Sequence, residues 1–124
     1  MKKIPKKVLE MQISKKIQEL YLRELHHQVG SIVLHFFNQA LIILIEESIT
    51  LPEKKLNTQE HQKLANHIRS VFDRVIQPQI QAIVETTTDM DAIDVLCDTT
   101  LDTGRTGIII ILELKSKELI SVSS

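Results

Sequence analysis

The sequence has no tryptophan, one cysteine, three glycines and only four aromatic side chains, Tyr21, Phe36, Phe37 and Phe72. Each shortage excludes something. With Cys97 alone there is no internal disulfide, which fits a reducing compartment. With so few aromatics there is no platform on which nucleic-acid bases could stack. With so few glycines there is no phosphate-cradling loop; Gly104-Arg105-Thr106-Gly107 is too short and precedes a strand. The longest apolar runs, Ala40–Ile45 and Ile108–Leu112, fall far short of the ~20 residues that span a bilayer, so no membrane insertion is expected. The opening "MKKIPKKVLE" has no apolar stretch behind its charges and does not read as a secretory signal. These features lead us to expect a soluble, cytoplasmic protein.

No charge of one sign dominates either. The formal net charge is −1 and the isoelectric point about 6.5. There is thus no global attraction toward nucleic acid or an anionic membrane. The charge is uneven, however. Lys2, Lys3, Lys6 and Lys7 crowd the start, and the rest of the chain is net acidic. We read residues 1–7 as a basic arm, residues 8–114 as one domain and residues 115–124 as a tail.

What is present is aliphatic periodicity. Val8, Leu9, Ile13, Ile17, Leu20, Tyr21 and Leu25 recur in steps of three and four, one face of a helix. Gly30 is placed to end it. "SIVLHFF" and "ALIILIEE" read as two strands around an Asn38-Gln39 turn. Thr50 with Glu53 spells a capping box, with Pro52 tolerated in the first turn, and Asn57 with Glu60 repeats the signal. Leu64, Ile68, Val71, Phe72, Val75, Ile76, Ile80, Ile83 and Val84 predict one long helix, kinked near Arg74–Pro78. Asp91–Asp98 and Thr106–Leu114 predict two more strands.

Strands two and four, "ALIILI" and "IIIILEL", do not alternate and are apolar on both faces, whereas one and three carry His35, Asp94 and Asp98. This places two and four at the sheet centre, order 1-2-4-3. The fold class is therefore α+β: a two-layer αββαββ sandwich, with a mainly antiparallel sheet and two long helices on one face. Two helices cover only one face, so a second copy or a standing partner is expected on the other. Leu41, Ile43, Ile45, Ile109 and Ile111 are the expected interface.

Candidate chemistry is sparse. Leu101-Asp102-Thr103-Gly104 spells the aspartic-protease motif. That enzyme needs a nearly all-β fold with a glycine-rich flap, and Asp, Thr and Gly form turns in their own right. His26, His27, His35, His61 and His67 include no i, i+4 pair, and there is no Cys-x-x-Cys, so no metal site is expected. Alternation puts Asp94 and Asp98 on one strand face, with Arg105 or Lys115 as ion-pair candidates. It puts Cys97 on the other face with Ile93 and Val95, as an inert thiol.

The segments Ile13-Ser14 with Leu20-Tyr21, Leu51-Pro52-Glu53-Lys54, Pro78 to Glu85, and Leu96-Cys97-Asp98 leading to Asp102-Thr103 lie in an order that resembles the YbcI-like family of uncharacterised bacterial proteins. The resemblance runs from about Leu9 to Leu114. Some members of that family are named Na+-translocating decarboxylases. No ion path across a membrane and no cofactor-attachment motif is legible in this chain, so no cofactor is expected. The leading expectation is a non-enzymatic regulatory or adaptor module, dimerising through its sheet. The loop carrying Asp98, Asp102 and Arg105 is the first place to look for a partner contact. Alternatives are a small enzyme using Asp98 and Asp102, and a nucleic-acid binder using the lysine-rich arm.

Overall fold

A computed structural model describes residues 4–115. The elements are α1 (Lys6–Leu25), β1 (Ile32–Phe37), β2 (Ala40–Ile45), α2 (Leu51–Leu56), α3 (Gln62–Thr88), β3 (Asp91–Thr100) and β4 (Arg105–Glu113). The strands form one antiparallel sheet in the order β1-β2-β4-β3, as expected. Helices α1 and α3 lie against each other, α1 over the β1 edge and α3 over the β3 edge.

Helix α1 buries Ile13, Ile17, Leu20 and Tyr21, the stripe its periodicity predicts. It begins inside the basic arm, with Lys6 and Lys7 in its first turn; Lys2 and Lys3 and the tail beyond Lys115 lie outside the described residues. It also ends earlier than Gly30. His26 takes the left-handed conformation, φ 50°, and its N–H bonds back to the carbonyl of Leu22. Gly30 serves a different need. Its N–H donates to the Glu46 carbonyl at 2.8 Å. A Cβ there would lie 3.1 Å from that oxygen, closer than side chains ordinarily approach, so glycine suits this position.

In the first hairpin Asn38 supplies the positive φ, 54°. Its strands pair Val33 with Leu44 and His35 with Ile42. Between α2 and α3 the expected second cap is displaced. Asn57 is drawn to Asp102, and α3 starts at Gln62 after a turn closed by Thr58 and His61. Helix α3 then runs 27 residues with Pro78 inside it.

The core lies between helices and sheet. Leu41, Ile43, Ile45, Ile108, Ile110 and Leu112 are almost wholly buried on the helix side. At about 1.5–3 kcal/mol for each buried aliphatic side chain, this layer is a main source of stability. Leu41 pairs with Ile110 and Ile43 with Ile108, so odd-numbered β2 residues share a face with even-numbered β4 residues. This corrects the expected interface. Leu41, Ile43 and Ile45 are in the core, while Ile109 and Ile111 are on the opposite, helix-free face beside Ile42 and Ala40.

A β-bulge between Ala92 and Asp94 makes a second correction. Ile93 becomes the extra, exposed residue. Val95 and Cys97 stay half-buried toward the helices, opposite Ile110 and Ile108.

Candidate functional site

Two surfaces stand out. The first is the helix-free sheet face. Register arranges it in rows across β1-β2-β4-β3: Val33, Leu44, Gly107, Asp98; then His35, Ile42, Ile109, Leu96; then Phe37, Ala40, Ile111, Asp94. Its centre is aliphatic and much of it is open, with Ile42 at 42% and Ile109 at 40% exposure. A polar, solvated face would show hydrophilic residues at these positions. The ionisable groups fall at the edges, His35 on β1 and Asp94 and Asp98 on β3. A second, narrower apolar strip, Leu64, Ile68, Val71 and Val75, runs along the outer side of α3.

The second surface is a cleft of about 600 Å³ between α3 and the β3 edge. Behind it stands a buried ionic cluster. Glu53, fully buried, accepts from both the N–H and the hydroxyl of Thr50, at 3.0 and 2.9 Å. This is the reach-back half of the capping box read from the sequence. Its other oxygen lies 3.3 Å from Nε of Arg69, which also lies 3.5 Å from Asp73, one helical turn on. Arg69 is only 6% exposed and its guanidinium lies 5.7 Å from the Phe72 ring. None of its three nitrogens makes a hydrogen bond to the protein.

Burial shapes the titration of this region. The Asp73 carboxyl is pushed above its ordinary value, chiefly by desolvation, with Glu53 and Asp98 adding and Arg69 opposing. Desolvation likewise raises Cys97 to about 11, away from reactivity. The Tyr21 phenol, reaching the same region from α1, is also raised by burial.

The three loop residues singled out in the sequence go to three different places. Asp98 accepts the N–H of Thr99 at 2.9 Å and lines the cleft from the strand edge. Asp102, in the β3–β4 turn, accepts from Asn57 at 2.9 Å. Arg105 pairs with Glu46 at 2.8 Å and Lys115 with Asp89, so neither takes the expected role of partner to Asp94 or Asp98. No shared catalytic constellation results. Among the described residues no group of three or more potential ligands gathers to hold a metal ion.

Sequence reasoning missed Glu53, Arg69 and Asp73 as a cluster. The available signal was on α3: the buried residues are Ala65, Arg69, Ile76, Ile80 and Val84. Stepping back from Ile80 by helical turns places an arginine on the core line, where a charge demands a partner.

The fold is an α+β two-layer sandwich with one apolar sheet face that none of the described elements covers and a polar cleft at its β3 edge. The family model described as "Na+-translocating membrane potential-generating system (MpsC)" matches residues 5–114, and the chain belongs to that family. The resemblance read from the sequence thus holds at the level of an uncharacterised family, under this name rather than as YbcI-like. No curated protein and no solved structure matches the chain. None of the described helices is long and apolar enough to cross a membrane.

Proposed function

We propose that this chain is a non-enzymatic regulatory or adaptor module that dimerises face to face through its helix-free sheet surface. The carrying observation is the exposed aliphatics of two adjacent rows, Val33 and Leu44 in one and Ile42, Ile109 and Leu96 in the next, laid side by side by the strand register. An apolar patch of this kind costs free energy in water and marks an interaction surface. Edge charges favour a second copy as its cover. A two-fold axis parallel to the strands sets β1 of each copy over β3 of the other, bringing His35 toward the edge that carries Asp94. Sheets stacked in this way lie about 10 Å apart, a spacing that interdigitated Ile and Leu side chains fill.

The family description names a Na+-translocating system. We assign this chain an accessory, cytoplasmic place beside such a system. Size-exclusion chromatography with light scattering tests the dimer. The wild-type chain should run as a dimer at micromolar concentration, and Ile42→Asp with Ile109→Asp should run as a folded monomer. Leu64→Asp with Val71→Asp, on the outer strip of α3, should leave the dimer intact. A wild-type monomer, or loss of the dimer only on the α3 substitutions, would sink the reading. The adaptor role is tested by affinity purification from the native cell, comparing wild type with the Ile42/Ile109 pair. Partners retained equally by both would argue against the sheet face as the working surface.

A further inference from the structure

We propose that the cleft between α3 and β3 binds a small zwitterion of the α-amino-acid class, with Arg69 holding its carboxylate and Asp73 and Asp98 holding its ammonium group. The cleft opens on the α3 side of the β3 edge, and Asp98, on that edge strand, borders both the cleft and the sheet face.

Arg69 is the anchor of the site. It is almost fully buried, yet it lines both the 600 Å³ cleft and an adjoining recess of about 290 Å³. Its side chain therefore fronts concave space rather than bulk water. A guanidinium carries five N–H donors in a planar fork and does not lose its charge. None of these donors is used by the protein, because the two carboxylates beside Nε meet it as charges at 3.3 and 3.5 Å without hydrogen-bond geometry. Leaving buried charged donors unengaged is costly, and a carboxylate presents two oxygens at the spacing of the fork.

Charge balance then narrows the ligand. The cations at the cleft are Arg69 and Arg74; the carboxylates are Asp73 and Asp98 at its wall and Glu53 behind Arg69. Carboxylates outnumber cations, so a lone anion such as phosphate is disfavoured. The ligand must bring a positive charge with its carboxylate. Asp73 and Asp98 supply the place for it, and burial has already left Asp73 short of stabilising charge. Pro78, which has no N–H, leaves the Arg74 carbonyl without its usual helical donor. The remaining walls are amides and hydroxyls, including Asn66, Gln77 and Thr99, which suit a polar ligand. The volume lies in the range of small-molecule sites.

Thermal shift and calorimetry on the full chain, with each common L-amino acid in turn, test the site. At least one should bind in the millimolar range or tighter, and its N-acetyl and methyl-ester derivatives should bind about tenfold more weakly or worse. Acetate, ethylamine and inorganic phosphate serve as carboxylate-only, ammonium-only and anion probes. Arg69 is buried in an ion cluster and its substitution could unfold the chain, so the variants are Asp98→Asn and Arg74→Gln, both at the cleft wall. Asp98→Asn should weaken the amino acid about tenfold while leaving the unliganded melting temperature unchanged. Failure of every amino acid to bind, equal binding of acetate or phosphate, or unchanged affinity in Asp98→Asn would each overturn the assignment. Asp98 also borders the sheet face, so light scattering on Asp98→Asn, which should still run as the wild type does, keeps this site and the sheet-face dimer distinguishable.

Discussion

Replacing Glu53 by alanine should be among the most damaging single substitutions in the molecule. Glu53 is wholly buried, and its carboxylate does two jobs at once. It closes the first turn of α2 through Thr50, at 3.0 and 2.9 Å, and it faces Arg69 at 3.3 Å. Loss of a cap alone costs about 0.5–2 kcal/mol. Removing one partner of a buried ion pair costs about 3–5 kcal/mol, because the other charge is left uncompensated. Asp73 softens this, since it lies 3.5 Å from the same Arg69 nitrogen, but it is 30% exposed and sits one turn along α3. We therefore expect about 3–5 kcal/mol in all, from a domain whose total stability should be about 5–15 kcal/mol.

Urea denaturation followed by far-UV circular dichroism, at fixed protein concentration, reads this directly as a fall in midpoint at unchanged slope. The informative companion is the double variant Glu53→Met with Arg69→Leu. It removes both charges and fills their volume, so it should recover most of the loss and could exceed wild type, as buried pairs replaced by apolar residues often do. A loss below about 1 kcal/mol for Glu53→Ala, or a double variant no more stable than the sum of its singles, would refute a coupled buried pair.

Two titrations follow from the same region. The raised Asp73 carboxyl favours its protonated form in the folded state, so its contribution to stability is present below the unfolded value and lost as pH rises through the folded one. Asp73→Asn should therefore gain on wild type between about pH 3 and about pH 7, and denaturation at the two pH values should show the difference change in that direction. A relative loss for Asn at neutral pH would mean that attraction to Arg69 outweighs the desolvation. Cys97, raised to about 11 from an ordinary 9.0, stabilises the fold fully below the ordinary value and progressively less as pH passes about 11. Its alkylation by iodoacetamide at about pH 8 should be far slower than that of a free thiol; a free-thiol rate there would contradict its burial.

Much of the architecture was legible because β2 and β4 are aliphatic at consecutive positions. Only strands covered on one face and apolar on the other need such sequences, and this put them at the sheet centre. What the sequence withheld was the phase between them. β2 and β4 are joined through α2 and α3, so no short turn fixes their register, and a shift of one residue exchanges the faces. That is why Leu41, Ile43 and Ile45 turn out to be core while Ile109 is open and Ile111 half-buried on the opposite face. The bulge at Ile93 is hidden for the same reason: an extra residue in one strand is visible only against its partner.

The ionic cluster was hidden by a different cause. In α3, Leu64, Val71 and Val75 look like the core stripe but are half open, whereas Ala65 and Arg69 are buried. The apolar stripe coincides with the buried line from Ile76 onward, but before Ile76 the buried line lies beside it and runs through a charge. Helical hydrophobicity finds the face that would be buried if burial were apolar throughout. It cannot find a face where α2 delivers Glu53 as the counter-charge, because that pairing joins residues from two helices. The capping signal at Thr50 and Glu53 was read as purely local. Its carboxylate in fact links the start of α2 to the middle of α3 and sets Arg69 at the back of the cleft. A residue that satisfies a local rule and lies fully buried has a second partner to be found, and here that partner is the group on which the proposed binding site depends.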